Sequence, residues 1–146
     1  MSLRSWAQNG WLVESTTSRE EIANLLAIVD RDLAAAQVPG LPADWSFAIA
    51  YNAALQAAVA ALAAAGYRAA RDSHHYRVIQ ALEFTVNPGA SVIDALDAFR
   101  KKRNMSSYDL AGAVSAKEAT EMLSLASRLR NEVETWIRST RPELLG

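Results

Sequence analysis

The chain has 146 residues, 51% of them hydrophobic and 21% charged, with a formal net charge of −1 and no cysteine. That is enough apolar material for one core and too little chain for two. A disulfide framework, thiolate chemistry and Cys-based zinc sites are excluded, and there is no bulk attraction for nucleic acid or an acidic membrane, so such binding would need a local patch.

No run of alternating β-branched residues occurs, and alanine makes up about a fifth of the chain, so the expected class is all-α. Residues 1–17, with Trp6 and Trp11, read as an arm or a short helix ahead of a single helical domain over 18–146. The first residues lack a basic-then-apolar signal pattern, and the expected location is cytoplasmic. Ser18 and Glu21 form a capping-box pattern before a first main helix over Arg19 to Gln37, where Ile22, Leu25, Leu26, Val29 and Leu33 recur at helical spacing. Pro39, Gly40 and Pro42 end it.

A second helix is predicted from Trp45 to Ala65, with Asp44 as N-cap and Gly66 as stop. Its stretch from Phe47 to Ala65 approaches the length of a membrane span, but it is mostly alanine, and Asn52 and Gln56 interrupt it. A buried helix of a bundle is the better reading, with Tyr51, Leu55, Val59 and Leu62 as the larger contacts. Tyr67 to Asp72 reads as a connector. Ser73 would cap a third helix from His74 to Val86, ended by Asn87, Pro88 and Gly89. Ser91 would cap a fourth, from Val92 to Asn104, with Val92, Leu96, Phe99 and Arg103 along one stripe. Met105 to Val114 is expected to be a loop. Ser115 and Glu118 repeat the capping box and open the longest helix, to Ser139, with Met122, Leu125, Leu129, Val133, Trp136 and Ile137 on its apolar face. Short connections between long amphipathic helices predict antiparallel neighbours, hence an up-and-down bundle of four to five helices.

The chain has no glycine-rich nucleotide loop and no histidine–glutamate metal motif, so neither a metal nor a cofactor is expected. His74 and His75 are its only histidines. Neighbours on a helix point about 100° apart, so the pair cannot chelate; one would be exposed and the other half-buried, or a neutral histidine would line a groove. Their place in a first turn, at the positive end of the helix dipole, lowers proton affinity. Trp45, Tyr51, Tyr76 and Trp136 read as core or dimer packing rather than a stacking platform. The most informative stretch is Arg100-Lys101-Lys102-Arg103-Asn104-Met105-Ser106-Ser107-Tyr108. Four cations at a helix C-terminus would complement its dipole. Arg103, however, falls on the apolar stripe, where a permanent charge is costly unless it meets a groove or partner. Asn104, Ser106, Ser107 and Tyr108 follow directly and could offer donors beside it, the makings of a phosphate site.

From about Ser18 to Ile137 the chain resembles the HEPN superfamily, small helical domains of prokaryotic toxin–antitoxin systems and nucleotidyltransferase partners. Tyr51-Asn52-Ala53-Ala54 with the closing Gly66-Tyr67 is similar to that family's second helix, and Ser73-His74-His75-Tyr76-Arg77-Val78-Ile79 to the start of its third. Arg103-Asn104 stands where the family carries arginine and a polar residue, followed at a short distance by histidine. Tyr108 occupies the histidine's place, a departure from the pattern. The resemblance implies an up-and-down helical bundle, a homodimer, and a groove shared by two copies that in active members is a metal-independent ribonuclease site.

Carried over, Arg103, Asn104 and Tyr108 are the expected catalytic or phosphate-contacting residues. Arg100, Lys101, Lys102, His74 and His75 are the expected nucleic-acid contacts. Arginine stabilises developing negative charge, and histidine moves protons near neutrality. A tyrosine, with an ordinary pKa of about 10, is a poor base there, which argues for binding over full nuclease activity. The expected function is therefore a HEPN-like dimer binding RNA or a nucleotide. The alternatives are an endoribonuclease toxin using Tyr108 or a borrowed His74 or His75, and a structural partner of a small nucleotidyltransferase. No membrane association is expected.

Overall fold

A computed structural model describes the backbone of residues 1–108 and 114–146 and the side chains of all of these except 104–108. The described residues are mostly helical. The α-helices are α1 (Leu3–Gln8), α2 (Arg19–Ala35), α3 (Ala43–Ala64), α4 (His74–Gln80), α5 (Ala90–Tyr108) and α6 (Ala116–Thr140), with 3₁₀ turns at Ala81–Phe84 and Pro142–Leu144.

α3 is the centre. From Ala50 to Ala64 its alanines are buried, and Phe47, Tyr51, Leu55 and Leu62 fill the gaps between helices. Small side chains let α2 and α6 approach its backbone, and these two make its most extensive contacts. α3 is long and apolar enough to cross a membrane by length and composition, but 72% of the relevant stretch is buried inside the fold, so its apolar surface is spent on other helices. Asn52, which interrupts the apolar run, has a structural reason: its amide donates to the buried Asp32 carboxylate of α2 at 2.7 Å. At the far end of α3, the Arg141 guanidinium donates to the Ala64 carbonyl at 2.9 Å, satisfying one of the orphan acceptors of the helix terminus.

α2 and α6 follow their expected stripes. α2 buries Ile22, Leu26 and Val29, and α6 buries Met122, Leu129, Val133 and Ile137, with Leu125 and Trp136 partly buried at its flanks. Each such side chain contributes about 1.5–3 kcal/mol when fully buried. The capping box of α6 is complete: the Ser115 hydroxyl accepts from the Glu118 N–H, and the Glu118 carboxylate accepts from the Ser115 N–H, both at 3.1 Å. At α2 only half of the box forms. Ser18 accepts from the Glu21 N–H, while the Glu21 carboxylate accepts from the Thr17 hydroxyl at 2.7 Å.

The expectation of helices alone needs correcting. Leu12–Glu14 (β1) pairs antiparallel with Tyr67–Ala69 (β2), Leu12 opposite Ala69 and Glu14 opposite Tyr67. Three-residue strands leave almost no alternation to read, and this pair forms because Gly66, at φ +96°, turns the chain after α3 back along the N-terminal segment. Residues 1–17 are thus a short helix and a strand, docked. Trp6 is buried and meets Trp11 and Phe84 edge-on at 5.6 and 5.2 Å, and the Arg77 guanidinium lies 3.9 Å from the centre of the Trp11 ring.

Helix ends moved too. α3 begins at Ala43 behind Pro42, so Asp44 lies inside the first turn and caps nothing. Ser73 precedes α4 in the left-handed region at φ +55°, and its hydroxyl makes no capping bond. Ser91 lies inside α5, and the predicted third helix ends its α-form at Gln80. The predicted loop from Met105 begins late, because residues 105–108 continue α5; its remaining part through Ala113, with Gly112, lies outside the described residues.

Candidate phosphate site between α3, α4 and α5

A run of four cations on one helix cannot share a face, and the structure divides it. Lys101 is exposed, its ammonium 3.5 Å from Asp97. Lys102 reaches away to Glu118 in the first turn of α6, also at 3.5 Å. Arg100 and Arg103 turn toward α4 and α3. The Arg100 Nε donates to Asp97 at 2.9 Å, and its guanidinium lies 5.6 Å from the Tyr76 ring centre. Arg103, continuing the stripe of Val92 and Leu96, sets its guanidinium 5.9 Å from the centre of the buried Tyr51 ring. Because α5 runs on to Tyr108, no basic residue stands in its last turn, so these cations are not capping the helix dipole.

α4 completes the cluster. His75 is half-buried, its ring 6.1 Å from that of Tyr51 and 5.8 Å from that of His74, which is exposed. Burial lowers the His75 pKa below its usual 6.5, and His74, Arg103 and Arg100 push it further the same way. Desolvation is the main cause, where the sequence pointed to the helix dipole. His75 is therefore a neutral imidazole at neutral pH. Tyr51 is pushed up to about 12 by burial, against the opposing pull of Arg100 and Arg103. It stays a protonated donor, and its hydroxyl has no hydrogen-bond partner among the described residues. On the exposed side of this cluster, Ser73, His74, His75, Tyr76 and Arg100 line an open pocket of about 370 Å³.

No family model, curated protein or solved structure matches the chain.

Of the residues singled out in the sequence, the structure brings Arg100, Arg103 and His75 together, puts His74 at the pocket wall, and directs Lys101 and Lys102 elsewhere. The side chains of Asn104 and Tyr108 lie outside the described residues. Sequence reasoning missed Tyr51, which it assigned to packing alone, and Asp97. Asp97 was legible as the acid three and four residues before Arg100 and Lys101. Tyr51 carried one signal: a phenol in the middle of an alanine-rich buried helix needs a partner for its hydroxyl. Trp45, also read as packing, is 64% exposed. Among the described residues no group of three or more His, Asp or Glu is placed to hold a metal ion.

Chemically the cluster offers fixed positive charge, one neutral proton acceptor and one protonated hydroxyl donor. Guanidinium and phenol donors suit a phosphate oxygen. The surrounding burial strengthens such contacts relative to water.

Proposed function

We propose that the chain is a HEPN-like bundle that works as a cytoplasmic homodimer and binds RNA or a nucleotide through phosphate contacts around Arg103, in a toxin–antitoxin or nucleotidyltransferase-associated setting. The observation that carries this reading is the convergence of Arg100, Arg103, His75 and Tyr51 from three helices, with two guanidiniums beside a neutral imidazole. The family resemblance in the sequence supplies the dimer and the ligand class, and it is the resemblance alone that assigns a part to Asn104 and Tyr108.

The test is fluorescence anisotropy with a labelled single-stranded RNA, on the native protein and on Arg103→Ala and Arg100→Ala. Affinity should fall about tenfold or more in Arg103→Ala, since a charge-assisted phosphate contact is worth roughly 1.5–3 kcal/mol. It should also decline with added salt. Binding that ignores both salt and Arg103 overturns the proposal and leaves a structural partner role. Sedimentation of the native protein as a monomer at all concentrations removes the shared groove.

A second reading, metal-independent endoribonuclease, is favoured by His75 alone. A neutral imidazole beside guanidiniums can take a proton from a ribose 2′-hydroxyl while the guanidiniums hold the charged phosphate. Cleavage of the same RNA in the presence of chelator, abolished by His75→Gln, would establish it.

A further inference from the structure

An open pocket of about 530 Å³ lies between α6 and the segment that joins the Ala81–Phe84 turn to α5, and it shares no lining residue with the pocket beside Arg100. Local geometry builds it. Asn87 takes the left-handed conformation at φ +51°, which asparagine tolerates better than most residues, and its N–H donates to the Leu82 carbonyl at 2.7 Å. Residues 86–88 form one wall and α6 the other. On α6, Asn131, Thr135 and Ser139 recur at intervals of four, so they form one row along about 12 Å of helix, and Glu132 and Trp136 form the row beside it.

The lining carries no charge free to select an ion. Its one charged residue is Glu132, whose carboxylate already accepts from the Arg128 guanidinium at 2.8 Å. No cation lines the pocket, so a phosphate or carboxylate meets nothing of opposite sign there, and a cationic ligand would have to displace Arg128. What remains is uncharged. Asn87, Asn131, Thr135 and Ser139 are exposed, and their side chains make no hydrogen bond among the described residues. The other two threonines of α6 behave differently: Thr120 and Thr140 each donate to the carbonyl four residues earlier, at 3.0 and 2.7 Å. The Thr135 hydroxyl is left to the pocket. Trp136 packs against the core and lines the same space with the rest of its half-buried indole.

An indole beside uncharged amides and hydroxyls suits a ligand ring with an apolar C–H face and hydroxyls around its rim, because the indole covers the face while the polar groups fix the rim. We propose that this pocket binds a neutral saccharide, with a sugar ring against Trp136 and its hydroxyls bonded by Asn87, Asn131 and Thr135. The length of the polar row fits two or more linked sugar units better than a single nucleobase, whose hydrogen bonds leave from the edge of one flat ring. The site is independent of the phosphate contacts at Arg103.

The test is an array of immobilised neutral, sialylated and sulfated oligosaccharides, probed with the fluorescently labelled full chain; dense display makes weak single-site binding visible. The free neutral oligosaccharide with the strongest signal is then titrated calorimetrically into the native protein and three variants. Asn131→Ala removes an amide, Thr135→Leu replaces a hydroxyl by an alkyl group, and Trp136→Phe leaves a smaller ring. Circular dichroism confirms that each variant keeps its helix content. The expected result is binding of neutral oligosaccharides with no preference for the sialylated or sulfated ones. Affinity should fall roughly two- to tenfold in Asn131→Ala and in Thr135→Leu, as loss of one hydrogen bond predicts, and should fall in Trp136→Phe as well. If Trp136→Phe does not fold, the two exposed positions decide. The absence of binding to any neutral oligosaccharide overturns the proposal. So does a preference for the anionic ones, or affinity unchanged in both Asn131→Ala and Thr135→Leu.

Discussion

Replacing Tyr51 by phenylalanine should raise stability and lower ligand affinity in the same protein. The Tyr51 hydroxyl is buried, remains protonated to about pH 12, and has no hydrogen-bond partner among the described residues. A buried polar group left unsatisfied costs about 1–3 kcal/mol, and phenylalanine keeps the ring that packs on Arg103 and His75. Tyr51→Phe should therefore stabilise the empty protein by about 1 kcal/mol, a rise in melting temperature of roughly 2–4 °C for a chain of this size. Urea unfolding should show a higher midpoint with an unchanged slope. Under the proposed function the hydroxyl would find its partner in a bound anion, once the ligand has opened a path to it. If it serves that role, RNA affinity should fall about tenfold in the same variant, the equivalent of roughly 1.4 kcal/mol. A midpoint lowered by 1 kcal/mol or more refutes the reasoning, because the hydroxyl would then be paired in the folded protein. Increased stability with unchanged RNA affinity would separate Tyr51 from the binding surface and leave it a packing residue.

His75 makes stability depend on pH. Its folded pKa lies below 6.5, so the unfolded chain binds the proton more readily; the contribution is complete above about pH 6.5 and is lost as pH falls through the depressed folded value. Urea midpoints measured from pH 8 to pH 5 should fall in the native protein and fall less in His75→Gln, and identical slopes in the two would refute the assignment. Ser115→Ala removes the hydroxyl that caps α6 and should cost about 0.5–2 kcal/mol, read from the same urea curves. A loss below a few tenths of a kcal/mol would mean that the first turn of α6 is held by tertiary contacts alone.

Much of the fold was legible because helix signals are local. Ser18 and Ser115 marked their helix starts to the residue, since a cap and its partner lie within one turn. The stripes of α2 and α6 were legible because each helix buries one face. Asp44, Ser73 and Ser91 failed as caps for a common reason: a capping residue works only if its own backbone is extended, as it is at Ser18 and Ser115. Pro42 opens α3 early, Ser73 is held left-handed and Ser91 is already helical. The strand pair was invisible because its register depends on the turn at Gly66 meeting a segment more than fifty residues away.

The sequence by itself determined the helical class, the absence of disulfides and the presence of an arginine on an apolar stripe, since composition and periodicity are properties of the chain alone. Tertiary structure decided which of the cations matter. Only packing shows that Lys102 is drawn to Glu118 while Arg100 and Arg103 face His75 and Tyr51. Only packing also lowers the His75 pKa, because desolvation and the field of neighbouring guanidiniums arise when distant segments share a small volume of low polarity.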